Sequence, residues 1–204
     1  MLEQGIREKD ISVYRDIRVE GNLLSTMLSF AQLHGNTTGT WHLQDDILIS
    51  RDFKQVTELM DRGVVCGFCS KYCNEYPKGV VSPDQMWYSF PCIRIPDKLA
   101  RECADWFFVD VFNNPDYRPW INEKKYDDSL FRIFMQDYYP YTQVVNLAPN
   151  IVNHIDYMLG GSVVNHQRDE EITSVYWEDK EMLINLELKL RTALLKDPKI
   201  KICK

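Results

Sequence analysis

Two apolar segments enclose two adjacent carboxylates in Trp41-His42-Leu43-Gln44-Asp45-Asp46-Ile47-Leu48-Ile49. The residues before the pair are typical of a short strand, so Asp45 and Asp46 are predicted at the strand's carboxyl end. Ligands bind at that edge in open α/β sheets. Two neighbouring carboxylates repel each other, and a shared hard cation such as Mg²⁺ or Mn²⁺ relieves that repulsion. The alternative is a solvated turn, in which Asp-Asp is common, and the local pattern does not choose between the two.

Strand and helix patterns alternate over most of the 204 residues. Strands are predicted at Ile11–Tyr14, Trp41–Leu43, Val64–Phe68, Trp87–Ile95 and Val144–Leu147. Helices are predicted at Leu23–Leu33, Asp52–Arg62, Pro96–Phe108, from Asp127 onward and at Glu178–Leu195, with a helical turn or two in Pro149–Leu159. This alternation predicts one α/β domain over residues 1–204, with a mixed sheet flanked by helices. Residues 178–204 are predicted to form a C-terminal helix and a basic tail.

The composition excludes several classes of protein. The formal net charge is -6, and the only basic run is the tail from Lys196 to Lys204. An acidic domain of this kind is not expected to bind nucleic acid nonspecifically. The N-terminus is charged and lacks a signal-peptide core, and no apolar stretch is long enough to span a bilayer. We therefore expect a cytoplasmic protein whose six cysteines are reduced.

A second acidic pair, Asp127-Asp128, lies at the predicted start of a helix. Aspartate at this position caps free backbone N–H groups and complements the helix dipole. One of the two carboxylates could instead face a cleft and act as a general base. The sequence leaves both roles open.

Two further motifs have both a structural and a functional interpretation. His154, in Pro149-Asn150-Ile151-Val152-Asn153-His154, is either a satisfied structural histidine, the commoner case, or a metal ligand. Gly160-Gly161-Ser162 is either a helix C-cap followed by a turn or a cradle of backbone amides for phosphate.

The cysteines Cys66, Cys69 and Cys73 have a spacing that suggests zinc. A structural zinc site normally takes four ligands, usually as two separated pairs, and this spacing supplies three. Cys66 lies in an apolar strand pattern, so we interpret it as a small hydrophobic core residue.

The order of these segments resembles that of GT-A-fold glycosyltransferases, especially family-two-like and phage-encoded relatives. The resemblance is carried by Trp41-His42-Leu43-Gln44-Asp45-Asp46-Ile47-Leu48-Ile49-Ser50-Arg51-Asp52-Phe53, by Gly67-Phe68, by Phe90-Pro91-Cys92-Ile93-Arg94-Ile95-Pro96, by Asp127-Asp128 and by Pro149–His154. It covers roughly residues 11 to 170. In that family, an apolar strand delivers an acidic motif and a helix follows about one turn later.

The resemblance implies a nucleotide-sugar donor, a Mn²⁺ or Mg²⁺ ion and transfer of the sugar to an acceptor that the sequence does not identify. It implies that Asp46 binds the metal, that Asp45 assists with the metal or the donor ribose, and that His154 completes the metal site. It also implies that Asp127 or Asp128 is the base of an inverting reaction. Gly160, Gly161 and Ser162 are expected to contact the donor.

The chain departs from the family pattern at two places. Gln44 stands where an acid is common, and Ile11–Tyr14 matches the family's second strand, so its first strand is expected to be lacking. Part of the nucleotide pocket would then be missing, rebuilt from elsewhere in the chain or supplied by a second subunit, and the last of these alternatives predicts a homo-oligomer. Two alternatives to the enzyme are a non-catalytic protein that binds a nucleotide and a protein that keeps the fold for interactions alone.

Overall fold

The structure is a computed structural model of the chain. It describes residues 4–14, 21–33, 39–60, 62–70, 73–87, 90–122, 126–155, 176–182, 184–185 and 188–189. The predicted phosphate cradle Gly160-Gly161-Ser162 lies outside these residues, as does the whole basic run from Lys196 to Lys204.

The described chain contains seven strands and five α-helices before residue 176. The strands are β1 (Thr40–Leu43), β2 (Ile47–Ile49), β3 (Val64–Cys66), β4 (Gly79–Val81), β5 (Cys92–Ile95), β6 (Val144–Asn146) and β7 (Val152–His154). The helices are α1 (Asn22–Ala31), α2 (Phe53–Leu59), α3 (Asp97–Trp106), α4 (Arg118–Asn122) and α5 (Asp127–Tyr138), and α3 continues as a π-helical turn, Phe107–Val111.

Five of the strands form one mixed sheet in the order β1-β5-β3-β6-β4. Strand β5 is antiparallel to both β1 and β3, and β6 is parallel to β3. Strands β1, β3 and β6 therefore run in one direction, and their carboxyl ends lie along the same edge. The predicted fold class, a Rossmann-like α/β domain with a mixed sheet flanked by helices, is confirmed.

The two remaining strands form a small antiparallel sheet of their own. Strand β2 pairs with β7, so that Ile47 lies opposite His154 and Ile49 lies opposite Val152. The helical turn predicted for Pro149–Leu159 is wrong at this point. The β-branched residues Ile151 and Val152 suit a pleated strand, and β2 offers them an apolar partner.

The side chains of the large sheet alternate between two hydrophobic clusters. On one face, Ile93 and Ile95 of β5 pack in the larger cluster, which also contains residues of α1, α3 and α5. On the other face, Cys92 packs with Phe53 of α2, together with residues of the small sheet. The small sheet and α2 thus cover the face opposite the three-helix layer.

The strand predicted at Ile11–Tyr14 is also wrong. These four residues are described without strand structure, and Val13 is 73% exposed. An alternating pattern becomes a strand only where a neighbouring strand binds its backbone groups, and none of the described strands pairs with these residues.

Several other elements have bounds that differ from the predicted ones. The strand predicted at Trp87–Ile95 begins at Cys92, and the edge strand β4 forms at Gly79–Val81, where no strand is predicted from the sequence. The described residues between 180 and 189 are helical, in agreement with that part of the predicted C-terminal helix. Every helix in the described ranges is too short or too polar to cross a bilayer.

Candidate functional site

The first acidic pair lies in the turn that joins the two sheets. Asp45 and Asp46 follow β1 at the edge where β1, β3 and β6 end, and β2 begins at the next residue. Asp45 is exposed, whereas the Asp46 side chain retains 23% of its accessible surface. The Asp46 carbonyl accepts a hydrogen bond from the Ile155 backbone N–H at 2.9 Å. The pairing of β2 with β7 therefore extends by one bond to the acidic turn.

This pairing places His154 against Asp46. The His154 Nε2 atom lies 3.0 Å from the Asp46 Oδ2 atom, and the histidine side chain is only 6% exposed. The His154 ring also packs against Phe68, with the ring centroids 6.2 Å apart. Two of the three predicted metal ligands are thus in direct contact, on a rigid strand pair.

The third predicted ligand, Asp45, is not part of a cluster with them. Among the residues that the structure describes, no three His, Cys, Asp or Glu side chains are arranged to hold a metal ion. The other carboxylate oxygen of Asp46, Oδ1, is buried and has no hydrogen-bond partner within the described part of the chain. A buried carboxylate oxygen without a donor is costly, and a cation would compensate for it.

The loop after β3 forms the floor of this region. Gly67 donates its N–H to the Cys92 carbonyl at 3.0 Å and accepts a hydrogen bond from the Ile151 N–H at 3.1 Å. A Cβ atom on Gly67 would lie 2.8 Å from the Cys92 sulfur and 3.0 Å from Cγ1 of Ile151. Only glycine permits this close approach, which brings Phe68 beneath His154.

Two thiols continue the same loop. The Sγ atoms of Cys69 and Cys73 are 3.7 Å apart, and the Ser70 hydroxyl is 3.7 Å from the Cys73 sulfur. The hydrogen bond that joins Cys73 and Cys69, together with hydrogen bonds to Ser70, lowers the pKa of Cys73, and burial opposes this shift. The same hydrogen bond, together with burial, raises the pKa of Cys69.

The second acidic pair begins α5 on the other side of this loop. Asp127 is 6% exposed, and its Oδ2 atom accepts a hydrogen bond from the Thr26 hydroxyl of α1 at 2.8 Å. Burial raises the pKa of Asp127, although the Thr26 hydrogen bond opposes the shift. Asp127 therefore links α5 to α1 through this hydrogen bond, which gives it a structural role.

Asp128 is the more unusual of the pair. Burial, and after it the charge of Asp127, raise the pKa of Asp128 to about 8. Its Oδ1 atom accepts hydrogen bonds from the Ser129 N–H and hydroxyl, which offset only part of the shift. The charge of Cys73 raises the same pKa further, which places the loop after β3 within electrostatic reach of Asp128. A carboxyl group with a pKa near neutrality is suited to proton transfer.

A buried amide fixes the segment that borders the loop. The Asn146 Oδ1 atom accepts from the Trp87 N–H at 2.9 Å, and its Nδ2 atom donates to the Pro77 and Gln85 carbonyls at 2.7 and 2.8 Å. Asn146 is the last residue of β6, so the side chain holds residues 77–87 at the carboxyl edge of the sheet. Trp87 is fully buried and serves the core.

The described C-terminal segment returns to the same edge. Tyr176 and Asn150 are joined by a backbone hydrogen bond of 3.1 Å, and the Tyr176 ring stacks on Trp87 at 5.6 Å. Arg51, just beyond β2, lies 3.4 Å from carboxylate oxygens of both Asp179 and Glu181. Residues 176–181 thus close one side of the region around the small sheet.

Sequence reasoning found both acidic pairs and His154, but it missed the residues that fix them. Thr26 and Phe68 lie far along the chain from the side chains that they contact, and no local pattern identifies them. For Asn146 the sequence does contain a signal. An asparagine at the end of an apolar strand is expected to be buried, and its amide then needs hydrogen-bond partners.

Comparisons of the chain with protein-family models, with curated proteins and with solved structures gave no match.

Proposed function

We propose that the chain is a metal-dependent glycosyltransferase that takes a nucleotide-sugar donor at the carboxyl edge of its sheet. The observation that carries the proposal is the 3.0 Å contact between Asp46 Oδ2 and His154 Nε2. It joins a carboxylate and an imidazole at the edge where α/β domains bind ligands, next to a loop that reaches a buried acid.

The residues present suit a divalent ion that arrives with its ligand. Asp46 and His154 supply one oxygen and one nitrogen ligand, and small hard cations commonly bind through one or two protein groups and substrate phosphates. An imidazole ligand favours Mn²⁺ over Mg²⁺. The ion would neutralise charge on the departing diphosphate. Because the protein supplies so few ligands, we expect the metal and the nucleotide to bind together.

Asp128 is the group we propose as the base of an inverting reaction. The acceptor oxygen bonds to the anomeric carbon, the bond from that carbon to the diphosphate breaks, and the diphosphate leaves with the electron pair. The acceptor proton passes to the Asp128 carboxylate. The base must be ionised before the reaction, so a pKa of about 8 predicts a rate that rises with pH up to about pH 8.

A thermal-shift screen followed by a turnover assay tests the proposal. We expect one nucleotide-sugar to raise the Tm when Mn²⁺ is present, because a ligand that binds only the native state stabilises it. The shift should vanish in Asp46→Ala and persist in Asp116→Ala, which removes an exposed carboxylate elsewhere on the surface. Incubation of the stabilising pair should then release nucleoside diphosphate.

A non-catalytic nucleotide-binding protein is the second candidate. It is favoured by the fact that the described residues contain no group of three metal ligands. This alternative predicts a Tm shift that does not depend on Mn²⁺ or Asp46, and no release of diphosphate. Absence of any shift would contradict both candidates. A homo-oligomer stays a prediction, which light scattering tests.

A further inference from the structure

A cavity lies at the opposite end of α5 from the acidic pair. Helix α5 has twelve residues, so its two ends are separated by about 16 Å. The cavity has a volume of about 350 Å³, within the range of small-ligand sites. It is lined by Glu102, Trp106, Asp110, Phe134, Tyr138 and Tyr139. Nothing in the proposed transfer reaction uses these residues.

Aromatic rings form the apolar part of the lining. The centroids of Trp106 and Phe134 are 5.5 Å apart, and those of Phe134 and Tyr138 are 5.3 Å apart. Trp106 and Phe134 are largely buried, whereas Tyr138 is 55% exposed and leaves ring surface available to a ligand. The face of an aromatic ring carries partial negative charge and attracts cations.

The polar part of the lining is also negative. Glu102 and Asp110 supply carboxylates, and no lining residue is basic. The Glu102 carboxylate accepts a hydrogen bond from the Tyr139 hydroxyl. Its Oε1 atom also lies 3.5 Å from the Nζ atom of Lys98, an exposed residue one turn earlier in α3. Asp110 is exposed at the cavity, and within the described residues its carboxylate forms no such hydrogen bond or ion pair.

Helix geometry adds to the same sign of charge. Asp110 lies in the π-helical turn that ends the continuation of α3, and Tyr138 ends α5, so the cavity lies at the carboxyl ends of two helices. The carboxyl end of a helix carries partial negative charge, which favours a cation nearby. Rings, carboxylates and helix ends therefore all select the same class of ligand.

We propose that this cavity binds an organic cation with an alkylammonium or guanidinium head. The rings contact the alkyl part and the cationic face, and Asp110 and Glu102 balance its charge. Such a head group comes either from a free amine or from a lysine or arginine side chain of another polypeptide.

The indole N–H of Trp106 reports on the cavity in proton–nitrogen correlation NMR spectra. We expect its signal to shift on titration with agmatine, or with N-acetyl-lysine amide. The uncharged N-acetyl-norleucine amide should cause no comparable shift. A response to agmatine but to neither N-acetyl-lysine amide nor N-acetyl-arginine amide assigns the site to free amines, and a response to either amide admits a side chain. Equal shifts with the uncharged compound, or no shift with any of these cations, would overturn the proposal.

Two matched pairs of variants locate the effect. Tyr138→Leu should weaken cation binding about two- to fivefold, as expected for a cation on an exposed ring. Tyr141→Leu removes an almost fully exposed ring and should leave binding unchanged. Asp110→Asn should weaken binding by a similar factor, whereas Asp105→Asn, an exposed acid on α3 outside the lining, should not. Equal losses of cation affinity within either pair would mean that the lining residues have no specific role, which would contradict the proposal.

Discussion

The chain carries the dipeptide Asp-Asp at two candidate functional positions, and the structure gives the two copies different surroundings. Asp45-Asp46 lies in a turn, where one acid is exposed and the other contacts His154. Asp127-Asp128 begins a helix, with Asp127 buried and Asp128 half-buried, and burial raises the pKa of both acids. The surroundings of the first pair suit cation binding, and those of the second pair suit proton transfer.

The difference shows that neighbours from distant parts of the chain decide what an acid can do. Thr26, which holds Asp127, is 101 positions away in the sequence. Hydration lets a carboxylate keep its charge, and desolvation favours its neutral form. The following predictions test this contrast, beginning with the largest expected effect.

Asp46→Ala should have the largest effect on the proposed transfer reaction. Charge stabilisation by a metal ion contributes several kcal/mol, so its loss should reduce kcat/KM about a thousandfold. Asp45→Ala should cost about tenfold or less, because Asp45 is exposed and lies outside the contact with His154. Steady-state assays with Mn²⁺ would measure both. Equal losses would mean that the two acids of the turn act alike.

Asp128→Asn should reduce kcat by about a hundredfold, the lower end of what a general base contributes. The pH profile provides the sharper result. In the wild type, the rate should rise with pH up to about pH 8, because Asp128 must be ionised to accept a proton. The variant should lose this rise. A profile that is the same in the two proteins would assign the base to another residue.

Asp128 should also make the folded state less stable as the pH rises. Its pKa is about 8 in the folded protein and about 4 in an unfolded chain. Between these values the folded protein holds a proton that the unfolded chain has released, so the free energy of unfolding falls with increasing pH. We expect Asp128→Asn to gain about 3–4 kcal/mol relative to wild type between about pH 5 and about pH 8. Urea unfolding at both pH values would measure the two free energies of unfolding. A stability of Asp128→Asn relative to wild type that falls between about pH 5 and about pH 8 would contradict burial as the cause of the raised pKa.

Thr26→Val should destabilise the protein by about 1–2 kcal/mol, because it removes the side-chain donor to the buried Asp127 carboxyl group. Thr57→Val is the matched control. The Thr57 hydroxyl donates only to the Lys54 carbonyl within α2, so this change should cost about 0.5 kcal/mol or less. Chemical unfolding at neutral pH would compare the two variants. Equal costs would show that the bond to Asp127 has no special weight.

The smallest expected effect is that of Asp45→Asn on stability. The side chain is exposed, so we expect a change within about 0.5 kcal/mol, as is usual for surface positions. A thermal melt without ligands would measure it. A large change would mean that the repulsion between Asp45 and Asp46 strains the folded turn.

The sequence predicted the elements whose signal is local. The strand before Asp45, the helix after Ser50 and the helix that begins at Asp127 each follow from periodicity and flanking residues. It did not predict β7, because three residues are too few to show a period and their strand form depends on pairing with β2. For the same reason it misjudged Ile11–Tyr14, where the pattern is present and no described strand pairs with it.

The site was predictable to the same extent. Two adjacent carboxylates after a strand are visible in the sequence, so Asp45 and Asp46 could be selected. The contact between Asp46 and His154 results from the register of β2 and β7, which no local pattern reveals. The raised pKa of Asp128 likewise depends on burial by the folded chain.

Mn²⁺ binding followed by electron paramagnetic resonance tests the central claim most directly, because free Mn²⁺ gives a signal that is lost on binding. Wild type, Asp46→Asn and Asp127→Asn would each be titrated with Mn²⁺, with and without a panel of nucleoside diphosphates. We predict that, with one nucleotide, wild type and Asp127→Asn bind one equivalent of Mn²⁺ per chain more tightly than the nucleotide alone binds it, and that Asp46→Asn does not. Equal uptake by Asp46→Asn, or no uptake by wild type with any nucleotide, would contradict a metal–nucleotide site at Asp46 and His154.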